Sequence, residues 1–379
     1  MNYLKKEIYY SDFDYFLVKL NNLISHDIHT HFSQNNPLVF KAIKKSLLKT
    51  TESALLSEAK RIRPMICFWL FRNYYLNENF TVNLCDLTEH DKHILNNVTQ
   101  VALAVEILHC ASLVIDDIED GSTERRGKNS LHLEFGIPQA LNAGNWMYFL
   151  ALKQLPENLK NEAVDTLFDC HIGQALDLSN MDNEIPLLQF KECDSLRWDY
   201  YHKCATLKTS RLIDFGIEGM NKILNLDKKT SAVLGKIFKN YGIIYQIYDD
   251  IRNFIPHVNN GKLYEDLNSG LRSAVVLSFL DVLTDEEKTE ARNEFENNNF
   301  PTYFLSHTKK TLGLNNCFLK AKKLLEINKF DLNSIHIQNK SKEYLSKIIK
   351  NPFDEIESHI FSIINKHYHE PLMKENVAL

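Results

Sequence analysis

Glycine and proline are scarce in this chain, at 12 and 9 among 379 residues. So few turn formers argue against many short strands, and with them against an all-β or doubly wound architecture. The 7 cysteines are scattered, and none forms a C-x-x-C pair, so neither a disulfide framework nor a zinc site is indicated. No uninterrupted apolar run approaches the roughly 20 residues of a membrane span. Glu7, Asp12 and Asp14 interrupt the N-terminal apolar residues, unlike the basic–apolar–small order of a secretion signal. Excess positive charge is also missing. Lys plus Arg number 44 against 49 Asp plus Glu, a net −5, so there is no global polycation for nucleic acid. These gaps describe a soluble, cytoplasmic chain without a transmembrane segment, with an organelle or secretion into a host left open.

What is present is helical periodicity, without convincing period-2 strands. The pattern predicts helices over about 10–25, 37–48, 51–75, 89–117, 137–153, 161–176, 196–221, 228–254, 271–280, 285–297, 315–325, 341–349 and 353–367. Breaks are expected at Asn77–Asn83, Gly121–Asn129, Asn180–Pro186, Asn259–Gly270 and Asn298–Pro301. None is a convincing interdomain linker. The simplest organisation is one large all-α domain over 36–335, an N-terminal helical extension over 1–35, and a C-terminal one over 336–379 packed on it.

Two acidic clusters stand out, Asp116-Asp117-Ile118-Glu119-Asp120 and Asp249-Asp250-Ile251-Arg252-Asn253. Each ends a long apolar helix. Crowded carboxylates repel one another and lose hydration on burial, so such a cluster implies bound cations. An oxygen-only donor set selects a hard cation such as Mg²⁺, and two clusters suggest several ions around a polyanion such as diphosphate. The run Val101–Ile115 is apolar nearly all round, with Glu106, His109 and Ser112 as exceptions on the side that leads to Asp116, Asp117 and Asp120. That stripe is expected to line an internal cavity. Asp116 and Asp120 are one turn apart and can share a cation. In the second helix Gln246, Asp249, Asp250 and Asn253 share a face.

A polyanion also needs protein cations. Arg125-Arg126 follow the first cluster, and arginine offers phosphate a fixed fork of donors. Lys60 and Arg63, one helical turn apart, suit a second anion, with Lys208-Thr209 and Lys262 as further candidates.

These residues, in this order, resemble the trans-isoprenyl diphosphate synthases, most closely the eukaryotic-type geranylgeranyl diphosphate synthases. The similarity runs from about Lys60 to Ser273. It rests on HCASLVIDDIEDGSTERRG (His109–Gly127), NAGNWMYFLAL (Asn142–Leu152), HIGQALDL (His171–Leu178), LKT (Leu207–Thr209), YQIYDDIRN (Tyr245–Asn253) and EDL (Glu265–Leu267). The resemblance implies the isoprenoid synthase fold, a single large helical bundle around a deep central cavity, usually a homodimer. It implies head-to-tail condensation of isopentenyl diphosphate with an allylic diphosphate. Carried over, Asp116, Asp117, Asp120, Asp249 and Asp250 bind Mg²⁺, three ions with substrate present. Arg125, Lys208 and Lys262 neutralise the allylic diphosphate, while Lys60, Arg63, His109 and Arg126 hold isopentenyl diphosphate. Thr209 and Gln246 line the reaction centre. Four departures stand out: Glu58-Ala59 replace a Gly-Gly pair, Leu271 a lysine, Ser210-Arg211 a second Gly-Gly, and Asn253 an aspartate.

Ala111 and Ser112 are small where farnesyl-type members carry a bulky aromatic, so the tunnel should run deeper. Tyr148, Phe149 and His171 match the floor of geranylgeranyl-type members, which implies a C20 product. Two alternatives remain at this stage. A class I terpene synthase would cyclise a prenyl diphosphate on the same scaffold, and a non-catalytic subunit would pair with an active synthase. The complete first aspartate motif argues against the latter.

Overall fold

The computed structural model describes residues 7–179, 192–255, 263–264, 267 and 273–349. Their regular structure is helical, apart from one two-stranded hairpin among the described residues. The chain falls into two compact units. The first comprises Met1–His171, Ser210–Lys239 and Asp331–Ile348, and the second Ile172–Thr209, Asn240–Phe330 and Ile349–Leu379. Expected features at Lys262, at 353–367, at Asn180–Pro186 and over most of Asn259–Gly270 lie outside the described residues.

The first unit opens with α1 (Ile8–Asn22), a π-helical turn and α2 (His29–Ser33). It continues through α3 (Pro37–Ile43), a second π-helical turn and α4 (Lys49–Leu55). The single helix expected over 51–75 is broken here. Residues 56–61 leave the helix, and α5 (Ile62–Leu70) starts afresh with Pro64 in its first turn. Proline is tolerated there because its missing N–H would have had no partner, whereas inside a continuous helix its ring would clash with the preceding turn. Lys60 therefore lies outside the helix that carries Arg63, and the two are not stacked on one helical face.

The centre of the unit is α6 (Glu89–Glu119), whose N-cap Thr88 accepts from the backbone N–H of Asp91. Val98, Val101, Ala102, Ala104, Val105, Ile107, Leu108 and Ala111 are all buried on it. Burying each of the larger side chains stabilises the fold by about 1.5–3 kcal/mol. Among the described residues only this helix is long and apolar enough to cross a membrane, and 72% of its apolar window is buried inside the protein. Its main partner is α8 (Ile137–Gln154), with α5 and α11 (Arg211–Leu224) on other faces. Gly144 allows the α8 approach, because a Cβ there would lie 2.7 Å from Ile115 Cδ1. Between α6 and α8 come β1 (Glu124–Arg125), β2 (Lys128–Asn129) and the short α7 (Leu131–Phe135). Near its end the chain adds α17 (Asn339–Ile349), held to α5 where Trp69 Nε1 donates to the Ser341 carbonyl at 3.2 Å.

The second unit holds the C-terminal part of α9 (Lys160–Leu178) and α10 (Glu192–Ala205). A π-helical turn over Thr206–Ser210 follows, where the periodicity predicts a continuous helix over 196–221. The unit then takes the latter part of α12 (Lys228–Arg252), with α13 (Ala274–Asp281), α14 (Asp285–Glu296), α15 (Phe300–Ser306) and most of α16 (Lys310–Leu332). Its core gathers Phe279 and Phe304, with ring centroids 4.8 Å apart, and Phe254, 5.4 Å from Phe304. The break expected over Asn298–Pro301 falls at 297–299, and Pro301 sits in the first turn of α15.

Candidate active site

In the first unit, α6 ends with its acidic cluster. Gly121 takes the left-handed conformation (φ +64°). It donates to Ile118 O at 3.3 Å while Ser122 N–H donates to Asp117 O at 3.0 Å, a Schellman closure. Asp116, Asp117, Glu119 and Asp120 thus crowd the negative end of a long helix. Each carboxylate there is opposed by the helix dipole by about 0.3–1 kcal/mol. Such an arrangement is relieved by cations, and the protein supplies one itself. Arg125 Nε donates to Asp117 Oδ1 at 2.9 Å, its Nη2 bonds the same oxygen, and Nη2 lies 3.6 Å from Asp116 Oδ2.

The hairpin explains how Arg125 comes back. Glu124 pairs with Asn129 and Arg125 with Lys128, leaving Arg126-Gly127 as a two-residue turn with φ of +55° and +74°. This is a type I′ turn, whose twist suits a tight antiparallel pair. An arginine at its first position adopts a backbone conformation that costs an L-residue roughly 1–2 kcal/mol. Arg126 Nη1 in turn donates to Ser57 Oγ at 2.9 Å.

His109 lies about two helical turns below Asp116. Burial and the positive charges of Arg63, Arg126, Arg125 and Arg61 hold its imidazole well below the ordinary range, so it is neutral at pH 7. The basic residues expected around a second anion thus gather near His109, while Lys60 is exposed in the 56–61 segment. Glu106, expected to line a cavity, is only 2% exposed and is bound by Arg61. Arg61 also donates to the carbonyls of Leu55 and Ser57, each at 2.6 Å. The Arg61–Glu106 pair clamps the 56–61 segment to α6 and is structural.

Of the three floor residues, Tyr148 and His171 come together, with ring centroids 5.6 Å apart. Burial raises the Tyr148 phenol, and the negative charges of Cys170, Glu119 and Asp116 act in the same direction. Phe149 points the other way and is 66% exposed.

In the second unit, Lys208 and Thr209 ride on the π-helical turn, a distortion frequent at functional sites. Lys208 Nζ lies 2.5 Å from Asp177 Oδ2 on α9. Gly173 makes this approach possible, because a Cβ there would lie 2.5 Å from the backbone nitrogen of Lys208. Thr209 Oγ1 donates to Gln246 Oε1 at 3.0 Å, and Gln246 Nε2 donates to Asp250 Oδ1 at 3.0 Å. Asp250 Oδ2 accepts from Tyr201 Oη and from the backbone N–H of Ala274, each at 2.8 Å. Asp250 is therefore seated on the positive N-terminus of α13. The Asp249 side chain is 59% exposed, with Arg252 Nη1 at 3.9 Å.

Arg61, Asp177 and Tyr201 were not legible as working residues in the sequence. The only local signal was Glu106, a charge inside an apolar run that required a buried partner. The carboxylates at the two helix ends are oxygen-only donors, as a hard cation demands. Among the described residues no group of three or more His, Cys, Asp or Glu side chains gathers to hold a metal by itself.

The chain is similar to the geranylgeranyl diphosphate synthase of Saccharolobus solfataricus, at 26% identity over 86% of this chain and 97% of that protein. It is also similar to the geranylgeranyl pyrophosphate synthase paxG of Penicillium paxilli, at 29% over 49% of this chain and 51% of that protein. It spans between 16% and 50% of the length of further relatives that it matches. The crystal structure of geranylgeranyl pyrophosphate synthetase from Pyrococcus horikoshii shares the fold. Its TM-score is 0.64 at 19% identity, over 90% of this chain and 99% of that one. The polyprenyl synthetase family model matches residues 44–302, more than half of the chain, and the chain belongs to that family.

Proposed function

We propose that this protein is a trans-prenyltransferase. It condenses isopentenyl diphosphate with dimethylallyl, geranyl or farnesyl diphosphate to give geranylgeranyl diphosphate. The observation that carries this reading is the acidic cluster at the negative end of buried α6, with Arg125 folded back onto it. Family membership supports it, as do the names of the relatives from Penicillium paxilli and Saccharolobus solfataricus.

Asp116, Asp117, Asp120, Asp249 and Asp250 would hold Mg²⁺, three ions with substrate present. Asp250 also accepts three hydrogen bonds, which position it while leaving acceptor capacity on Oδ1 for an ion. When bound, Mg²⁺ supplies charge that stabilises the departing diphosphate. Arg125, Lys208 and Lys262 neutralise that leaving group. Arg63, Arg126, Lys60 and neutral His109 hold isopentenyl diphosphate. The allylic C–O bond breaks with its electron pair going to the diphosphate. The isopentenyl π pair then forms the new C–C bond, and the proton lost from the adjacent carbon passes to the released diphosphate. Buried apolar residues such as Ala111 keep water from the cation. Tyr148 and His171 set the C20 limit.

The partner is a second copy of the chain. Ile137, Leu141 and Phe149 form an exposed apolar stripe on α8, and Val164 and Phe168 form one on α9. Product analysis tests the activity, using the purified chain with Mg²⁺ and farnesyl diphosphate, with and without isopentenyl diphosphate. Geranylgeranyl diphosphate formed only with isopentenyl diphosphate is the expected result. A hydrocarbon or alcohol formed without it would make this a terpene synthase, and no turnover with intact Mg²⁺ and pyrophosphate binding would make it a non-catalytic subunit.

A further inference from the structure

Within the second unit, four side chains form one hydrogen-bonded line whose polarity is fixed by chemistry. Asp250 carboxylate oxygens only accept, so the Gln246 group that faces Asp250 Oδ1 must be its amide nitrogen. The Gln246 carbonyl oxygen then necessarily faces Thr209 and must receive that hydroxyl's single proton. Thr209 Oγ1 is left with acceptor capacity alone. The anchor of the line is at its other end. Asp250 is 6% exposed, and Tyr201, itself 7% exposed, donates to its Oδ2 beside the N–H of Ala274. Without the Tyr201 hydroxyl, Oδ2 keeps the backbone donor and loses the side-chain one.

We propose that Tyr201 is a positioning residue which, through Asp250 and Gln246, fixes the Thr209 hydroxyl as a hydrogen-bond acceptor aimed at positive charge. This rests on the prenyltransferase reading and deepens it, since the charge in question is the allylic cation. A dipole oriented beforehand stabilises developing charge without reorganising during the reaction. Hydrogen bonds in series also reinforce one another. Lys208, next to Thr209, is meanwhile held by Asp177. The line is one of orientation, in which Tyr201 acts through Asp250 and Gln246.

The test compares the full-length wild type with Tyr201→Phe, which keeps the ring and removes the hydroxyl. Calorimetry with Mg²⁺ present uses three probes. They are inorganic pyrophosphate, the non-ionising thiolo analogue of farnesyl diphosphate, and an analogue with a protonated nitrogen in place of the carbon that becomes cationic. The expected result is unchanged affinity for the first two and about tenfold weaker binding of the cationic analogue, smaller than direct loss of a stabilising group because Tyr201 acts through two intervening residues. In turnover, kcat falls by a similar factor while both KM values hold. Asp250→Asn provides a second variant. Tyr201 and Ala274 N–H both need an acceptor, so the new amide nitrogen faces Gln246 and turns its amide, and Thr209 then presents its proton outward. Cationic-analogue binding should fall further than in Tyr201→Phe. Equal loss for all three probes, or no loss for the cationic one, overturns the proposal. A wild type that makes no prenyl diphosphate would instead overturn the underlying reading, so the two failures are distinct.

Discussion

Asp214 on α11 carries a buried oxygen, Oδ1, with no hydrogen-bond partner among the described residues. Burial pushes its carboxyl up to about 7, a shift that Arg211 and Lys239 oppose and Glu218 reinforces. The folded state therefore holds a proton that the unfolded chain has lost by about pH 4. Stability from this group is complete below the unfolded value and is lost as pH rises through about 7. Asp214→Asn removes that dependence. Its melting temperature should match the wild type near pH 4, pull ahead across pH 4–7, and stay higher by at least about 2 °C above pH 7. Parallel melting curves across that range would show that Asp214 stays ionised in the fold. At this scale sequence reading finds residues whose type is anomalous where they stand. Asp116, Asp117 and Asp249 are conspicuous as charges ending apolar helices. Tyr201, Asp177 and Arg61 are ordinary in their own segments, and their partners Asp250, Lys208 and Glu106 lie 49, 31 and 45 residues away.

Elements join where such distant pairs are buried. Arg72, just beyond α5, gives Asp12 of α1 two bonds at 2.6 and 2.7 Å, while Tyr344 of α17 adds a third at 3.1 Å. The same guanidinium donates to the carbonyls of Phe80 and Val82 at 2.5 and 3.0 Å. Arg72 and Asp12 are at most 1% exposed. Burial pushes the Asp12 carboxyl up even though Arg72 and Tyr344 pull it down. This one cluster ties α1 and α17, segments without counterpart in the family motifs, to the core of the first unit. Removing one partner of a buried pair strands the other charge, so Arg72→Met should cost about 3–5 kcal/mol in urea unfolding. Adding Asp12→Leu should recover most of that loss, because two apolar groups replace two desolvated ions. A double variant as unstable as the single would mean that the carbonyl bonds from Arg72, and not its charge, do the holding. Helix periodicity made α6, α8 and α12 legible with ends within about two residues. It could not foresee the break at 56–61, because nothing in local pattern tells a first-turn proline from an interior one. Nor could it foresee the π-helical turn at Lys208, which depends on close packing against Gly173.

At the scale of the whole molecule, the first unit carries exposed apolar stripes. Phe149 and Phe168 are 66% and 68% exposed, with Ile137, Leu141 and Val164 spaced at helical intervals beside them. Scattered exposed apolar residues need no explanation, but stripes of this kind on two helices of the first unit do. Covering them recovers about 25 cal/mol for each Å² of apolar area, and a stable two-fold interface buries about 800 Å² on each partner. A second copy is the occupant that supplies the same stripes in return, because a two-fold interface is self-complementary. This also gives Phe149 a role distinct from that of its neighbour Tyr148, which turns inward to His171. Phe149→Glu with Phe168→Glu places like charges opposite each other across such an axis. In sedimentation velocity the wild type should run as a dimer at micromolar concentration and the double variant as a monomer with unchanged helical circular dichroism. A wild-type monomer would remove the dimer from the proposal while leaving the chemistry of each chain as argued. A double variant that stays dimeric would place the interface on another face and return Phe149 to the floor of the hydrocarbon tunnel.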